Sequence, residues 1–427
     1  MLSFEDLIKK FPPELRETLR FVWDSLPPVE RTTLQTLLNG FPADANLIRL
    51  LLSLSATQVR LAFGQKHQVA IVGPANVGKS TLYNQLVYRK EDKARVSPVP
   101  GTTRINQTAD TGIFRIIDTP GADAVGYMGD KERQQALDAA QKADFLVILF
   151  DAIQGIKRTE HDLFEQLTSL GKPYIVVLNK TDLVRKELSQ VIEHVAANLS
   201  LKPEQVIPIV ARDGKNISQV LMSIAVAEPE IVAALGRAMP AYRWQLAWRA
   251  IVSAASVSAV IALTPLPIID FAPLMVNQTI MVLGIARIYN FQITLQRARE
   301  LVLTFGLGFL GRTLFYELSK FGGLPGWLLA AAIASSTTVV MGYAAANWFE
   351  KGQKLSSSAL GILTRKITAD MLNSLKSMGK RKPGKKSLQD AITQTLESST
   401  MSQDKQVIDQ QAASEPTRND LETQEMK

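Results

Sequence analysis

One octapeptide constrains this chain more than any other feature. Gly73-Pro74-Ala75-Asn76-Val77-Gly78-Lys79-Ser80 sits between an apolar run, HQVAIVG (67–73), and a helical pattern over Lys79–Val87. Glycines at its two ends let the backbone curl so that successive N–H groups point inward. The start of the following helix adds positive potential there. Such a loop is a nest for phosphate oxygens, and it needs an α/β frame with a strand before it and a helix after it. Within it Lys79 is spaced to reach the outer phosphates. The Ser80 hydroxyl is placed for Mg²⁺, and Thr81 starts the helix beside it.

The rest of the central region supplies that frame. FRIIDT (114–119), FLVILFDA (145–152), YIVVLNK (174–180) and VIPIVA (206–211) are nearly continuous hydrophobes, the pattern of strands covered on both faces. Helical patterns alternate with them at Lys79–Val87, Lys131–Lys142, Glu160–Leu170, Leu188–Leu199 and Ile217–Ala227. The alternation predicts an α/β domain with a mostly parallel sheet and flanking helices over about residues 66–227.

Two further motifs fall at predicted strand ends. Asp118-Thr119-Pro120-Gly121 closes FRIIDT. A carboxylate there can hold a magnesium-bound water, and the Gly121 N–H can meet a γ-phosphate. Asn179-Lys180-Thr181-Asp182 closes YIVVLNK. The Asp182 carboxylate can accept from guanine N1–H and N2–H₂, a donor pair that adenine lacks. Asn179 can bond the other edge and tie the loop down, and the Lys180 stem can lie over the base. Each motif alone is also an ordinary turn. The three in this order, each after a strand, point to a guanine nucleotide.

These motifs resemble the Era/EngA/MnmE-like branch of the translation-factor-related GTPases, over about residues 66–227. The resemblance implies GTP and GDP as ligands with Mg²⁺, and slow hydrolysis. Pro100-Gly101-Thr102-Thr103-Arg104 looks like the branch's first switch, which makes Thr103 the threonine expected on Mg²⁺ beside Ser80. Val210-Ala211-Arg212 looks like the last guanine-side loop, with Val210 for the usual serine and Arg212 for lysine; the Ala211 N–H can still reach guanine O6. Ala122 stands where other branches carry a water-orienting glutamine, so Lys79, Thr103 and Gly121 remain as the residues expected to assist hydrolysis. Asn76 matches the asparagine that helps bind K⁺ in some members; a loop-stabilising role is its alternative. Residues 122–130, with Gly126 and Gly129, belong to the expected switch regions. Self-association through this domain is a further implication.

The remainder reads differently. Residues 1–64 predict short helices broken by Pro12–Pro13 and Pro27–Pro28, with an apolar helix over Asn46–Phe63 that packs on something later in the chain. Residues 240–350 predict an apolar helical domain. No charge occurs from Phe321 to Phe349, a run long enough to cross a bilayer, with Trp327 and Trp348 near its ends. Asp270 is the single charge between Ala250 and Ala286, and it reads as a loop or cap residue or as an intramembrane acid. This region resembles a helical domain of unknown function fused to Era-like GTPases in bacteria. Residues 351–427 predict a basic linker, with six basic side chains over 376–387, and a disordered polar tail.

The chain has no cysteine, which excludes disulfides, thiolate metal sites and cysteine nucleophiles, and only three histidines. Its net charge of +8 fits an anionic membrane face or nucleic acid. The C-terminal half is apolar rather than basic, which favours membrane lipid over nucleic acid. Together these features predict a GTP-hydrolysing switch at the cytoplasmic face of a membrane, with the G domain and tail in the cytoplasm and a protein effector or activator still to be identified. A soluble ribosome-assembly or RNA-associated GTPase is the alternative. A dynamin-like remodeller would need stalk helices that residues 1–64 are too short to supply.

Overall fold

The computed structural model describes residues 60–62, 68–86, 114–118, 140–263, 271–291, 325–352, 357–379 and 381–399, with a few isolated positions besides. The chain divides into two compact units, Gln65–Tyr242 and Met1–Gly64 with Arg243–Lys427.

The first unit is built on five parallel strands: β1 (Val69–Gly73), β2 (Phe114–Asp118), β3 (Phe145–Asp151), β4 (Tyr174–Asn179) and β5 (Val206–Pro208). Their order is β2-β1-β3-β4-β5. Every residue of β1 and β3 is buried, which is why these stretches carry no polar alternation. The connections are helical: α1 (Lys79–Leu86), α2 (Arg158–Ser169), α3 (Leu188–Asn198) and α4 (Ile217–Ala227), followed by the short α5 (Val232–Ala238). Part of the predicted Lys131–Lys142 helix is seen as helical residues near 140; its beginning lies outside the described residues. The predicted last strand, 206–211, stops earlier. Pro208 has no N–H for the ladder, and Val210 turns to pair antiparallel with Lys215. Because β2 and β3 flank β1 on opposite sides, the crevice where strand order reverses opens at the carboxyl end of β1. That is where the octapeptide lies.

The second unit is helical: α6 (Arg243–Ala262), α7 (Phe271–Ile288), α8 (Gly326–Lys351), α9 (Ser357–Lys376) and α10 (Lys385–Glu397). α6 and α8 run antiparallel, since Ser258 bonds Thr338 while Trp244 meets Tyr343 edge-to-face. They approach closely at Gly342, where a Cβ would come within 2.5 Å of Ile251 Cγ1 and 3.2 Å of Met281 Sδ on α7. Leu61 and Ala62 are buried against Gly284 of α7, and the Arg287 guanidinium donates to the Ala62 carbonyl. Thus the end of the predicted Asn46–Phe63 helix does pack on a later element. Residues 264–270, with Asp270, lie outside the described residues.

The expected linker and disordered tail differ most from what is found, since much of the segment forms α9 and α10. Leu388, Ile392 and Leu396 recur every fourth residue and are buried, 0–2% exposed. A polar composition hid a narrow apolar stripe. Residues 401–427 lie outside the described residues. The helices Pro240–Ala262 and Gly326–Lys351 are long and apolar enough to cross a membrane, yet 78% and 83% of their most apolar windows are buried inside the protein.

Candidate nucleotide site

The octapeptide leaves β1 at Gly73, whose strand register places it level with Asp118 of β2. Two glycines are required by what lies against them. A Cβ at Gly73 would overlap the Leu149 carbonyl oxygen of β3, and one at Gly78, where φ is +99°, would overlap the side-chain amide of Asn179. Asn76 takes φ +63° at the exposed rim, a conformation asparagine tolerates better than most residues. Lys79 is 4% exposed. Its ammonium donates to the carbonyls of Gly73 at 2.7 Å and Pro74 at 2.6 Å, so the loop closes around its own cation. Ser80 and Thr81 follow in the first turn of α1.

Asn179 joins the two ends of the site. Its Nδ2 donates to the Val77 carbonyl at 2.8 Å, and its Oδ1 accepts from the Ala211 N–H at 2.9 Å. One buried side chain thereby holds the phosphate loop and the loop after β5 in a fixed relation. The Ala211 N–H expected to meet guanine O6 is thus also bonded to Asn179, and a base oxygen would share it.

Lys180 follows with φ +62° and opens a short 3₁₀ turn, Thr181–Leu183. The ammonium of Lys180 meets Asp151 Oδ2 at 2.5 Å. The Asp151 side chain is 2% exposed, and its Oδ1 accepts from the Ile153 N–H at 2.8 Å. Both carboxylate oxygens are therefore used, and the Lys180 stem is stretched between backbone and anchor. Thr181 Oγ1 donates to the Ile209 carbonyl at 2.8 Å, pinning the 3₁₀ turn to the segment after β5.

Asp182 lies in that turn, its side chain 10% exposed, with Arg212 Nη2 at 3.3 Å. Arg212 also forks onto Asp213, with Nε to Oδ1 at 2.8 Å. This hydrogen bond holds the Asp213 carboxyl below the usual carboxylate range and raises the guanidinium. The Arg212 carbonyl accepts from Gln85 of α1 at 3.2 Å, and Asn216 donates to the Pro208 carbonyl at 2.8 Å. Arg212 thus supplies a planar fork that reaches two carboxylates.

These residues fit a guanine nucleotide. The cradle at Gly73 and Gly78 admits no Cβ, and the donor set at its edge is a lysine, a serine hydroxyl and helix-start amides. Across a fixed bridge stands a carboxylate. Of the expected Mg²⁺ ligands, Ser80 is placed at the start of α1 and Asp118 has its backbone level with Gly73. Thr103 and Gly121 lie outside the described residues, as do Thr102, Arg104, Ala122 and the switch segment 122–130.

Sequence reasoning passed over Asp151, Gln85 and Asn216. Asp151 left one signal, an acid closing a fully apolar run. Its use depends on β3 lying beside β4, with Asp151 in register with Asn179.

Comparison with known proteins bears on the class of domain. Residues 68–180 match the family described as 50S ribosome-binding GTPase, and residues 243–401 match a domain of unknown function (DUF697). GTPase Der of Rhizobium johnstonii is 42% identical over 121 residues, covering 27% of this chain and 25% of that protein. GTPase Der of Clostridium botulinum is 31% identical over 171 residues, 37% and 38% of the two. The matched segment therefore spans well under half the length of these curated relatives. Aquifex aeolicus Era bound to GDP and aluminium fluoride is 27% identical, over 48% of this chain and 69% of that one, with a TM-score of 0.32. The fold assignment rests on strand order and register rather than on that superposition.

Proposed function

We propose, for a chain that joins an Era-like P-loop GTPase domain to a helical domain of unknown function, that it is a GTP-binding and slowly GTP-hydrolysing switch acting at the cytoplasmic face of a membrane. The observation that carries the nucleotide half is the Asn179 bridge, because it ties the proposed phosphate loop at Val77 to the proposed base-side loop at Ala211, from the strand end that leads to Asp182. In this reading Gly73, Val77, Gly78, Lys79, Ser80 and Thr81 hold the phosphates. Asn179, Lys180, Asp182, Ala211 and Arg212 hold the base. Ser80, Thr103 and a water on Asp118 would hold Mg²⁺, which neutralises developing charge between the phosphates when bound. Gly121 gives its N–H to the γ-phosphate, and Lys79 stabilises the same oxygens.

Hydrolysis is slow because Ala122 cannot orient a water. With no arginine finger in the motifs, turnover resembles unassisted GTPases, on the order of 10⁻⁴–10⁻³ s⁻¹. K⁺ held near Asn76 would supply the missing charge. Single-turnover phosphate release from the full chain tests this. Release in Mg²⁺ and K⁺ should exceed release in Mg²⁺ and Na⁺, and Lys79→Ala should lose both. Equal rates in the two salts remove the K⁺ role, and no release in either makes the domain a binder only.

The membrane half is supported by the two long apolar helices and by an exposed basic segment, with Lys376, Arg381, Lys385 and Lys386 all exposed. Each such charge is worth about 1 kcal/mol near anionic lipid. The packing limits what kind of contact this conformation makes. Arg365, Lys366 and Asp370 are exposed on α9, which lies along α8. At the depth of a spanning α8 each would cost about 3 kcal/mol. In the conformation described here the contact is therefore peripheral, with the basic segment on the headgroups.

A second reading is ribosome association, favoured by the description of the family that residues 68–180 match. Cosedimentation with ribosomal subunits at moderate salt, dependent on GTP, would support it over the membrane.

A further inference from the structure

We infer that α6, α7 and α8 form a membrane-inserting unit whose partner is bilayer hydrocarbon, and that α9 and α10 cover it until an anionic membrane draws them off. The inference rests on the membrane half of the proposal above and is independent of the nucleotide half.

Reach comes first. α8 has 26 residues, about 39 Å of helix, against a hydrocarbon core of about 30 Å. The second long apolar helix, Pro240–Ala262, has 23. Both suffice to span, and both are covered. On α9 the side chains of Leu363, Ile367, Met371 and Leu375 are buried. On α10 the buried stripe is Leu388, Ile392 and Leu396. α9 packs on α8 and α10 on α6.

The depth of the cover is fixed by one hydrogen bond. Thr368 Oγ1 donates to Ser336 Oγ at 2.9 Å, and Ser336 lies near the middle of α8. Arg365, Lys366 and Asp370, within one turn of Thr368, are exposed. With α9 in place, a spanning α8 would carry three charges to the bilayer centre. Insertion and the observed packing are mutually exclusive, so the cover must leave first.

The unit beneath is built to stay together once uncovered. Asn277 Nδ2 donates to the Ala254 carbonyl at 2.9 Å and to Ser258 Oγ at 3.0 Å. Thr338 Oγ1 donates to Ser258 Oγ at 2.8 Å, and Gln278 Nε2 donates to Thr338 Oγ1 at 3.1 Å. These bonds link α6, α7 and α8 where hydrocarbon would offer no partners.

The closed form also leaves polar atoms unpaired where an interface would satisfy them. Trp248 Nε1 and Tyr289 OH are buried and have no hydrogen-bond partner among the described residues. They sit at the end of the unit that holds the start of α6 and the ends of α7 and α8, together with Trp244 and Trp348. Trp327 marks the other end of α8. Indole and phenol groups at both ends suit the headgroup region, where their N–H and O–H meet water.

The segment joining the two cover helices carries the trigger chemistry. Lys382 donates from its ammonium to the Leu263 carbonyl just past α6, at 2.5 Å, amid exposed Arg381, Lys385 and Lys386. Anionic headgroups compete for that cluster and pull the α9–α10 junction from the end of α6.

The absence of cysteine makes the test direct. The side-chain oxygens of Ser336 and Thr368 lie in hydrogen-bond contact, so the double variant Ser336→Cys/Thr368→Cys places two sulfurs within bonding reach. Full-length protein, oxidised or reduced, is mixed with vesicles of phosphatidylglycerol and phosphatidylcholine and then extracted with alkaline carbonate. The reduced form should remain with the vesicles, and the oxidised form should be at least ten-fold less retained until reductant is added. Equal retention of both forms overturns the inference, and so does loss of both. Fluorescent GDP binding, measured on the same samples, reports the nucleotide site separately. Should the variant fold poorly, hydrogen exchange on the unaltered chain decides. Vesicles should speed exchange across 357–397 while α6 and α8 stay protected. Unchanged exchange across 357–397 in membrane-retained protein overturns the inference.

Discussion

A carboxylate buried at the end of a central strand needs partners for both its oxygens. In Asp151 one oxygen accepts from the Ile153 N–H and the other meets the Lys180 ammonium. Its consequence is positional, because anchoring the head of Lys180 fixes the stem where the base is proposed to rest. Asp151→Asn should therefore weaken GTP and GDP alike, by about ten-fold, or ~1.4 kcal/mol. The maximal hydrolysis rate and the preference for guanine should stay unchanged, since Asp182 is untouched. Stopped-flow release of a fluorescent GDP would show a faster off-rate in the variant. Asn179→Ala is a harsher change. It removes both bonds of the bridge and orphans the Val77 carbonyl and the Ala211 N–H, at about 1–3 kcal/mol for each buried group. It should lower both nucleotide affinity and the thermal midpoint of the G domain. The phosphate nest and the Asn-Lys-Thr-Asp segment are legible in the sequence because their chemistry is local. Asp151 is not, because it becomes a partner of Lys180 only when β3 lies next to β4.

At the scale of elements the same division holds. β1, β3 and β4 stand out as uninterrupted apolar runs because both their faces are covered. Helices α2 to α4 keep their period because one face meets the sheet. α9 and α10 escape a reading by composition. The stripe Leu388, Ile392, Leu396 is narrow, and its neighbours Gln389, Asp390, Thr393 and Gln394 are those of a soluble tail. Its energetic weight is nevertheless that of core. Ile392→Ala should destabilise the helical unit by about 2–4 kcal/mol, seen as a lower midpoint in thermal denaturation of the full chain. The loss should also increase dye binding to exposed apolar surface, because α10 covers α6. Gly342 offers an orthogonal check. Gly342→Val drives a branched side chain into Ile251 and Met281, and should cost about 1–3 kcal/mol by overpacking.

For the whole molecule, two compact units share one chain, and each carries chemistry the other lacks. The G domain has the charge-dense loops in which the nucleotide site is proposed; the helical unit has two long apolar helices and buried polar ties between helices. The region of Thr103, Gly121 and 122–130 is where γ-phosphate recognition is expected. All of it presupposes that a phosphate nest and a guanine-reading carboxylate act as one site through Asn179. Titration calorimetry of the full-length protein in Mg²⁺ buffer tests that most directly. The account predicts that GTP binds at least about a thousand-fold more tightly than ATP, because adenine has no N1–H and N2–H₂ donor pair to offer the Asp182 carboxylate. ATP bound as tightly as GTP, or neither bound, would contradict it.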